Sequence, residues 1–561
     1  MNIAVINFDA NLGMYHESLL FFQRYLEIDN TISILGCSGH LGRCTNIISL
    51  GIKADQYLPD TLRKETCKKC ISKQNQLSNN SQFRLNNQLD QLNIEQQRII
   101  DGIKEEEVSD SRDLLRIRYL NVPFGKIAFY DFAMHNKIDD KVKINKEQIA
   151  NFKFHLIDVF KVWNFIDRIL ITEKFDAAIY VNGNYSLNSI ARERFLKNKI
   201  RCWSIEYTFA NTATEKRVYL EENRLVHCRE WPSFTRVSQG YKCIIADTEV
   251  ALKGFRSRFR GVDHNSYTSP SRTTDWKSFD EFRGKFEQLA SVFISSSDEL
   301  RVHEVVYGFK QDNTFFGNQI EWLNFIIDKA SPDIGYVIRI HPRLKPNKRD
   351  SVEAVEHQYI YAALQKARAL KNFYIIEAEQ TISSYYVLLN SSFSMVSWSM
   401  MGLESAVLNI PVVACFPGNS AFPIEKMSHQ PKDLAELELF IQGKIQPKRT
   451  LEHDMEVLKW IGINYRAIGI RVMGVRYRRK FFAFMRSHLE KYILLSPKLF
   501  GIFFYYRNKN IIETSISNGE IRVTTQSHPV DDSEECIKML NVFRNEIYKY
   551  YGCIRRIGVG N

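Results

Sequence analysis

The chain has no stretch of 18 or more uncharged apolar residues, so no membrane-spanning helix is expected. Residues 1–8 are too short an apolar run for a secretory leader and pass directly into polar residues 9–11, which argues against a signal peptide. No short internal repeat is visible, and no Asp-x-Asp pair sits at a strand end. Basic residues are dispersed without a recognition motif, so nucleic acid is not expected as a partner. These absences point to residence in the cytosol. Ten cysteines in that setting argue for thiols or metal ligands, not disulfides.

What is present is a 561-residue chain with 44% hydrophobic and 25% charged residues, long enough for two or three domains. A net charge of +12 suits an acidic partner, such as nucleotide phosphates or an anionic membrane surface. Residues 3–8 (IAVINF) read as a first strand, followed by a loop over 9–15, an apolar-periodic segment over 19–28 and a strand over 31–35. This is the opening of a Rossmann-like domain. From about 62 to 115 the pattern dissolves into a Gln/Asn/Ser-rich charged stretch, which reads as an insertion on the sheet and not part of it. Regularity returns with a long helix over 152–175, a strand over 177–181, a helix over 187–198 and a strand over 200–205 ending at Glu206.

The expected division is a first domain over 1–265 with an insertion about 61–150, then a linker rich in Ser, Thr, Asn and Pro over 261–274. A second α/β domain covers 275–460. The remainder, 461–561, is a basic aromatic extension with a hairpin signal at Asn518-Gly519 and a last helix over 536–551. Its segments 469–486 and 494–506 suit closing helices across both domains, or a patch docked on the inner membrane face.

The chain is organised around residues 394–415, SMVSWSMMGLESAVLNIPVVAC. A short apolar strand, a tight turn, a small-residue helix and a second strand follow one another, with Pro411 ending the helix. The turn is expected to bring Ser399, the amides around Gly402, and Glu404 to one helix N-terminus, where phosphates are favoured. An ordinary βαβ unit with a polar turn has the same pattern.

Four elements together resemble the bacterial surface-polysaccharide glycosyltransferases of the capsule-biosynthesis type. Val181-Asn182-Gly183-Asn184, followed after a helix by Glu206, resembles their strand–NGR–helix–strand–Glu pattern. Residues 293–299 (FISSSDE) are similar to their F-x-S-S-x-D-E element, and 337–342 (VIRIHP) to their R-x-H-P element. Ser399, Gly402, Glu404 and Pro411 match S-x-x-G-x-E-x(6)-P. The order covers roughly residues 170–415. Asn409 stands where a glycine is usual, and Asn184 where the arginine of NGR stands. The resemblance implies a GT-B-like α/β fold, with two Rossmann-like domains facing across a cleft, and a nucleotide-sugar donor with a glycan or glycolipid acceptor.

Within that frame the residue chemistry assigns roles. An imidazole or imidazolium at His341 suits the leaving phosphate as charge grows on it, with Arg339 and Arg343 beside it. Ser399 and Gly402 are candidate phosphate donors and Glu404 a candidate ribose acceptor. Ser297 and Glu299 follow the first strand of the second domain and border the same cleft, or simply cap a helix. The acceptor hydroxyl needs a base: Glu206 is the first candidate, with Glu17 as a second and Asn182 and His16 on the acceptor side. No catalytic metal is required, because helix dipole, His and Arg hold a diphosphate. Cys37, Cys44, Cys67 and Cys70 form C-x(6)-C and C-x-x-C pairs that suit a structural zinc, or are buried thiols. Other readings of the same architecture are a polyol-phosphate transferase with a cytidine-activated donor, a nucleotide-sugar epimerase, and a non-catalytic glycan-assembly protein.

Overall fold

The computed structural model describes residues 1–8, 16, 19, 23, 30–48, 60–77, 82–86, 88–104, 107–108, 110–138, 142–207, 216–223, 241–261, 276–308, 315–346, 352–416, 420, 422–467, 470–472, 513–517, 520–524 and 531–552. Two sheets organise the chain. The first contains β1 (Asn2–Ile6), β2 (Thr31–Cys37), β3 (Gln82–Leu85), β4 (Ala177–Val181), β5 (Arg201–Tyr207) and β6 (Lys216–Glu222). The second contains β7 (Gln288–Phe293), β8 (Ile334–Arg339), β9 (Phe373–Ile376), β10 (Phe393–Val396) and β11 (Val412–Ala414). β12 (Ile470–Val472) returns to the first sheet, and β13 (Glu513–Ser517) pairs with β14 (Glu520–Thr524) as a separate hairpin.

Strands run β3-β2-β1-β4-β5 in the first sheet and β9-β8-β7-β10-β11 in the second, parallel throughout these runs. The two orders are the same, 3-2-1-4-5, so each half is Rossmann-like and the whole is a GT-B-like α/β protein. Buried parallel strands need apolar residues on both faces, and AAIYV in β4 and FSMV in β10 are buried at every position. β6 and β12 extend the first sheet antiparallel.

The main helices are α1 (Asp60–Asn75), α2 (Phe124–Asn136), α3 (Lys146–Thr172), α4 (Ser186–Lys197), α5 (Ile245–Phe259), α6 (Asp298–Tyr307), α7 (Val355–Arg368), α8 (Met401–Val407), α9 (Leu451–Gly462) and α10 (Ser533–Tyr550). Three features differ from expectation. Residues within 62–115 do enter the sheet: β3 pairs with β2, Leu35 opposite Phe83. A four-residue edge strand reading QFRL is too short and polar to announce itself by periodicity. Second, α5 falls inside the expected first domain but packs with α8, α9 and α10 in a core containing Phe255, Phe259, Leu403, Trp460 and Phe543. Third, Val302 and Val306 of α6 are buried in the core of the first half, among residues of α2 and α3. The two halves therefore share a core.

The hairpin expected at Asn518-Gly519 forms, with Ser517 opposite Glu520, and the last helix is α10. The basic aromatic segments at 469–486 and 494–506 lie outside the described residues, except for the backbone of β12. Among the described residues no helix is long and apolar enough to cross a membrane.

Candidate functional site

In a sheet of this order, ligands bind beyond the carboxyl ends of the strands where the winding reverses, between the first and fourth strands. Here that means the ends of β1 and β4 in one half and of β7 and β10 in the other. The two halves are joined through Asn184, which follows β4. Its side-chain amide meets Nε2 of His303 at 2.7 Å, and its carbonyl accepts the Tyr307 hydroxyl at 2.8 Å. Both partners lie on α6, which begins just after β7. Lys137, at the end of α2, donates Nζ to the carbonyl of Arg343 at 2.7 Å. The turn after β8 is thereby tied to the first half.

His341 sits in that turn. Pro342 opens a 3-10 turn, and Nδ1 of His341 accepts the amide of Arg343 at 3.2 Å. An N–H directed at Nδ1 requires its lone pair, so the neutral ring carries its proton on Nε2. The ring is thus held as a donor at that nitrogen. Arg343 binds Glu299 at 3.0 Å and Asp298 at 3.1 Å, which ties this turn to the first turn of α6. Ser297 donates its amide to Glu356 at 2.8 Å. Arg339 is buried, and its guanidinium donates to the carbonyls of Glu377 and Gln380. Burial pushes its pKa down to about 10. Its donors brace the loop after β9.

Glu356, at the start of α7, was not singled out by sequence. It accepts from the Ser297 amide and from Gln319, and burial, reinforced by the charge of Asp298, raises its pKa to about 7. A lone Glu inside a helical pattern carries no local signal of such surroundings. Two further residues at the strand ends were also missed. Asn7, after β1, and Ser397, after β10, are buried, and among the described residues their side-chain polar atoms have no hydrogen-bond partner. Buried polar groups are normally satisfied, so both are candidate ligand contacts at the winding reversals.

The turn after β10 is arranged differently from expectation. The Ser399 hydroxyl accepts the Met401 amide at 3.2 Å, and the Gly402 amide donates to the Ser399 carbonyl at 3.0 Å. Both groups are engaged in starting α8. A Cβ on Gly402 would stand 2.5 Å from Cδ1 of Ile424 and 3.2 Å from Cγ2 of Val396, so the glycine permits close packing. Glu404 is buried and forms an ion pair with Arg258 of α5. The Glu404 charge offsets the burial of the guanidinium and holds its pKa above the usual arginine value. The carboxylate expected at a ribose is therefore committed to a helix–helix contact. Asn409 has φ +62°, a left-handed conformation that asparagine and glycine tolerate best, which accounts for asparagine at the usual glycine position.

On the acceptor side, Glu206 is buried near the end of β5 and accepts the Ser204 hydroxyl at 2.6 Å. Asn182 has φ +50°, and its side chain accepts the Asn184 amide at 3.1 Å, so it shapes the turn after β4. His16 is buried. Glu17 lies outside the described residues. Cys37, Cys44, Cys67 and Cys70 line one cavity. Among the described residues, no three of His, Cys, Asp and Glu are grouped at metal-holding geometry.

No protein-family model matches the chain, and no curated protein matches it. Solved structures do. The beta Kdo 2,7 transferase KpsC of Thermosulfurimonas dismutans is similar at 14% identity, over 52% of this chain and 78% of that one, with a TM-score of 0.30. The UDP-GlcNAc 2-epimerase of Neisseria meningitidis bound to UDP-GlcNAc is similar at 10% identity, over 83% and 98%, with a TM-score of 0.24. The E. coli trehalose-6-phosphate structure bound with UDP-2-fluoro glucose is similar at 10% identity, over 87% and 99%, with a TM-score of 0.31.

Proposed function

We propose that the chain is a glycosyltransferase that moves a sugar from a nucleotide-sugar donor to a surface-polysaccharide or lipid-linked glycan acceptor. The observation that carries this reading is that Asn184, just after β4, bonds His303 and Tyr307 of α6, the helix that follows β7. Arg343 in turn binds Asp298 and Glu299 at the start of that helix, so the segments 181–184, 293–299 and 337–343, whose residues resemble the family, lie on mutually bonded elements.

In this reading the Nε2–H of His341 bonds the leaving diphosphate, most strongly as the sugar–oxygen bond breaks and charge collects there. Arg343 supplements that charge from the same turn, its own position set by Asp298 and Glu299. Glu206 takes the proton of the acceptor hydroxyl, with Ser204 orienting its carboxylate. Ser397 and the turn before α8 contact the donor, and Asn7, His16 and Asn182 border the acceptor. The surface-glycan acceptor and an inner-membrane location for the enzyme complete the proposal.

The test is a thermal-shift panel of CMP-, UDP-, GDP- and CDP-linked compounds, followed by turnover with a glycolipid acceptor. One nucleotide class should raise the melting temperature, and a ligand at 100 times its Kd adds about 2.7 kcal/mol. His341→Ala should lower turnover about 100-fold or more with the fold retained, and Glu206→Gln should spare donor binding while removing transfer. A panel without any shift, together with full activity of both variants, overturns the proposal.

A further inference from the structure

Lys137 is the residue through which the first half holds the His341 turn. It closes α2 with φ +50°, the left-handed conformation that glycine and asparagine adopt at helix ends and other residues adopt at a cost. The residue is also buried, and lysine is almost never fully buried without a partner. Its ammonium donates to the Arg343 carbonyl at 2.7 Å, and its own carbonyl accepts the Val355 amide at 3.4 Å. An unfavourable backbone and an unfavourable burial thus serve contacts made across the seam between the halves. Strain of this kind persists where the surroundings hold it in place, and it clusters at functional sites.

Those two bonds close a ring. The His341 carbonyl accepts the Leu344 amide at 3.0 Å, and the Leu344 carbonyl accepts the Ala354 amide at 2.9 Å, so the turn is stitched to the start of α7. Lys137 grips both sides of that stitch, Arg343 by its ammonium and Val355 by its carbonyl. Inside the ring, the Arg343 amide donates to Nδ1 of His341 at 3.2 Å, the contact that leaves the imidazole proton on Nε2. Only the two dihedrals of Arg343 separate the carbonyl that Lys137 anchors from the amide that meets the imidazole. The Arg343 guanidinium stands between Asp298 and Glu299, at 3.1 and 3.0 Å. Its charge is therefore offset within the turn, and the Lys137 ammonium adds a further positive charge there.

We propose that Lys137 is a positioning residue, acting through the Arg343 backbone to keep His341 in its Nε2–H form for the phosphate of a nucleotide-linked donor. The donor phosphate in this role rests on the glycosyltransferase reading, whereas the tie between Lys137 and the imidazole stands on geometry alone. With the ammonium in place, the Nε2 donor is set before the phosphate arrives and needs no reorganisation as charge grows. A loosened turn lets the ring rotate and exchange tautomers, and a misplacement of about 1 Å can cost about 100-fold in rate. The first half, which borders the acceptor, thereby holds a group of the donor side.

The test uses the full chain carrying isotope-labelled histidine. Long-range nitrogen–proton correlation spectra report the tautomer of each ring, and His341→Gln identifies the His341 signals. Wild type should show the Nε2–H tautomer alone at His341. Lys137→Asn removes the ammonium yet suits the left-handed backbone, so it should melt close to wild type while His341 exchanges between both tautomers. If that variant does not fold, Lys137→Gly, free of the left-handed cost, takes its place with the same expected signals. Lys197→Asn breaks a lysine–carbonyl bond to Leu120 at the far end of α4 and should leave His341 unchanged. Titration with UDP and with CMP should move the wild-type His341 Nε2 signal, and Lys137→Asn should need about tenfold more nucleotide. A wild-type His341 protonated on Nδ1, or wild-type His341 signals in the Lys137 variant, overturns the proposal. If neither nucleotide moves the wild-type signal, the donor-phosphate role falls, and the tautomer spectra alone decide whether Lys137 sets the ring.

Discussion

Glu404 shows how a single partner changes the meaning of a residue. Its carboxylate is buried and the guanidinium of Arg258, its partner 146 positions away in sequence, is largely so. Removing one member of such a pair leaves an uncompensated charge, at a cost of about 3–5 kcal/mol. Glu404→Ala should therefore lower the free energy of unfolding, measured by urea titration, by that amount. A variant that melts like wild type yet binds nucleotide poorly assigns the carboxylate to the ligand instead. Glu356 carries a pH signature. Its folded-state pKa lies near 7, above an ordinary value of about 4.5, so between these values the folded chain retains a proton that the unfolded chain has lost. Stability then falls as pH rises through that window. Glu356→Gln should flatten this part of the stability–pH curve, measured by denaturant melts from pH 4.5 to 7.5.

Among elements, α8 depends on a helix more than a hundred residues away. Arg544 of α10 donates to the carbonyls of Val407 and Ala406 at 2.8 and 3.3 Å and binds Asp454 of α9 through both terminal nitrogens. Tyr548 donates to the Leu408 carbonyl at 3.1 Å. At Val407 and Leu408 these groups meet carbonyls at the helix end, where intrahelical partners run out. Arg544→Met should cost about 3–5 kcal/mol, because Asp454 loses a buried partner along with the two carbonyls. Circular dichroism melts check it, and a loss below 1 kcal/mol would show that Arg449, the other partner of Asp454, suffices. The apolar run of β10 and the small residues of α8 were legible in the sequence. The cap supplied by α10 was not, because no local pattern links residue 407 to residue 544.

For the whole molecule, the consequential feature is that α6 belongs by chain order to the second half and by burial to the first. Val302 is fully buried among first-half residues, and Asn184, His303 and Tyr307 seal the same seam. The two halves should unfold in one calorimetric transition. Val302→Asp places an unpaired charge in that core and should separate the transition into two, with a larger radius of gyration by X-ray scattering. Two transitions already present in the wild type would mean that the shared core does not couple the halves.

Local chemistry in the sequence determined the buried parallel strands, the turn at Asn182, the hairpin at Asn518-Gly519 and the α/β alternation, because periodicity and turn preference act over a few residues. Pairing and convergence were decided by tertiary structure. It added β3 to the sheet, gave Glu404 to Arg258, engaged the Gly402 amide in starting α8, and gathered four cysteines from separate segments around one cavity. Such contacts join residues tens to hundreds of positions apart, and only closure of the chain brings their side chains within reach.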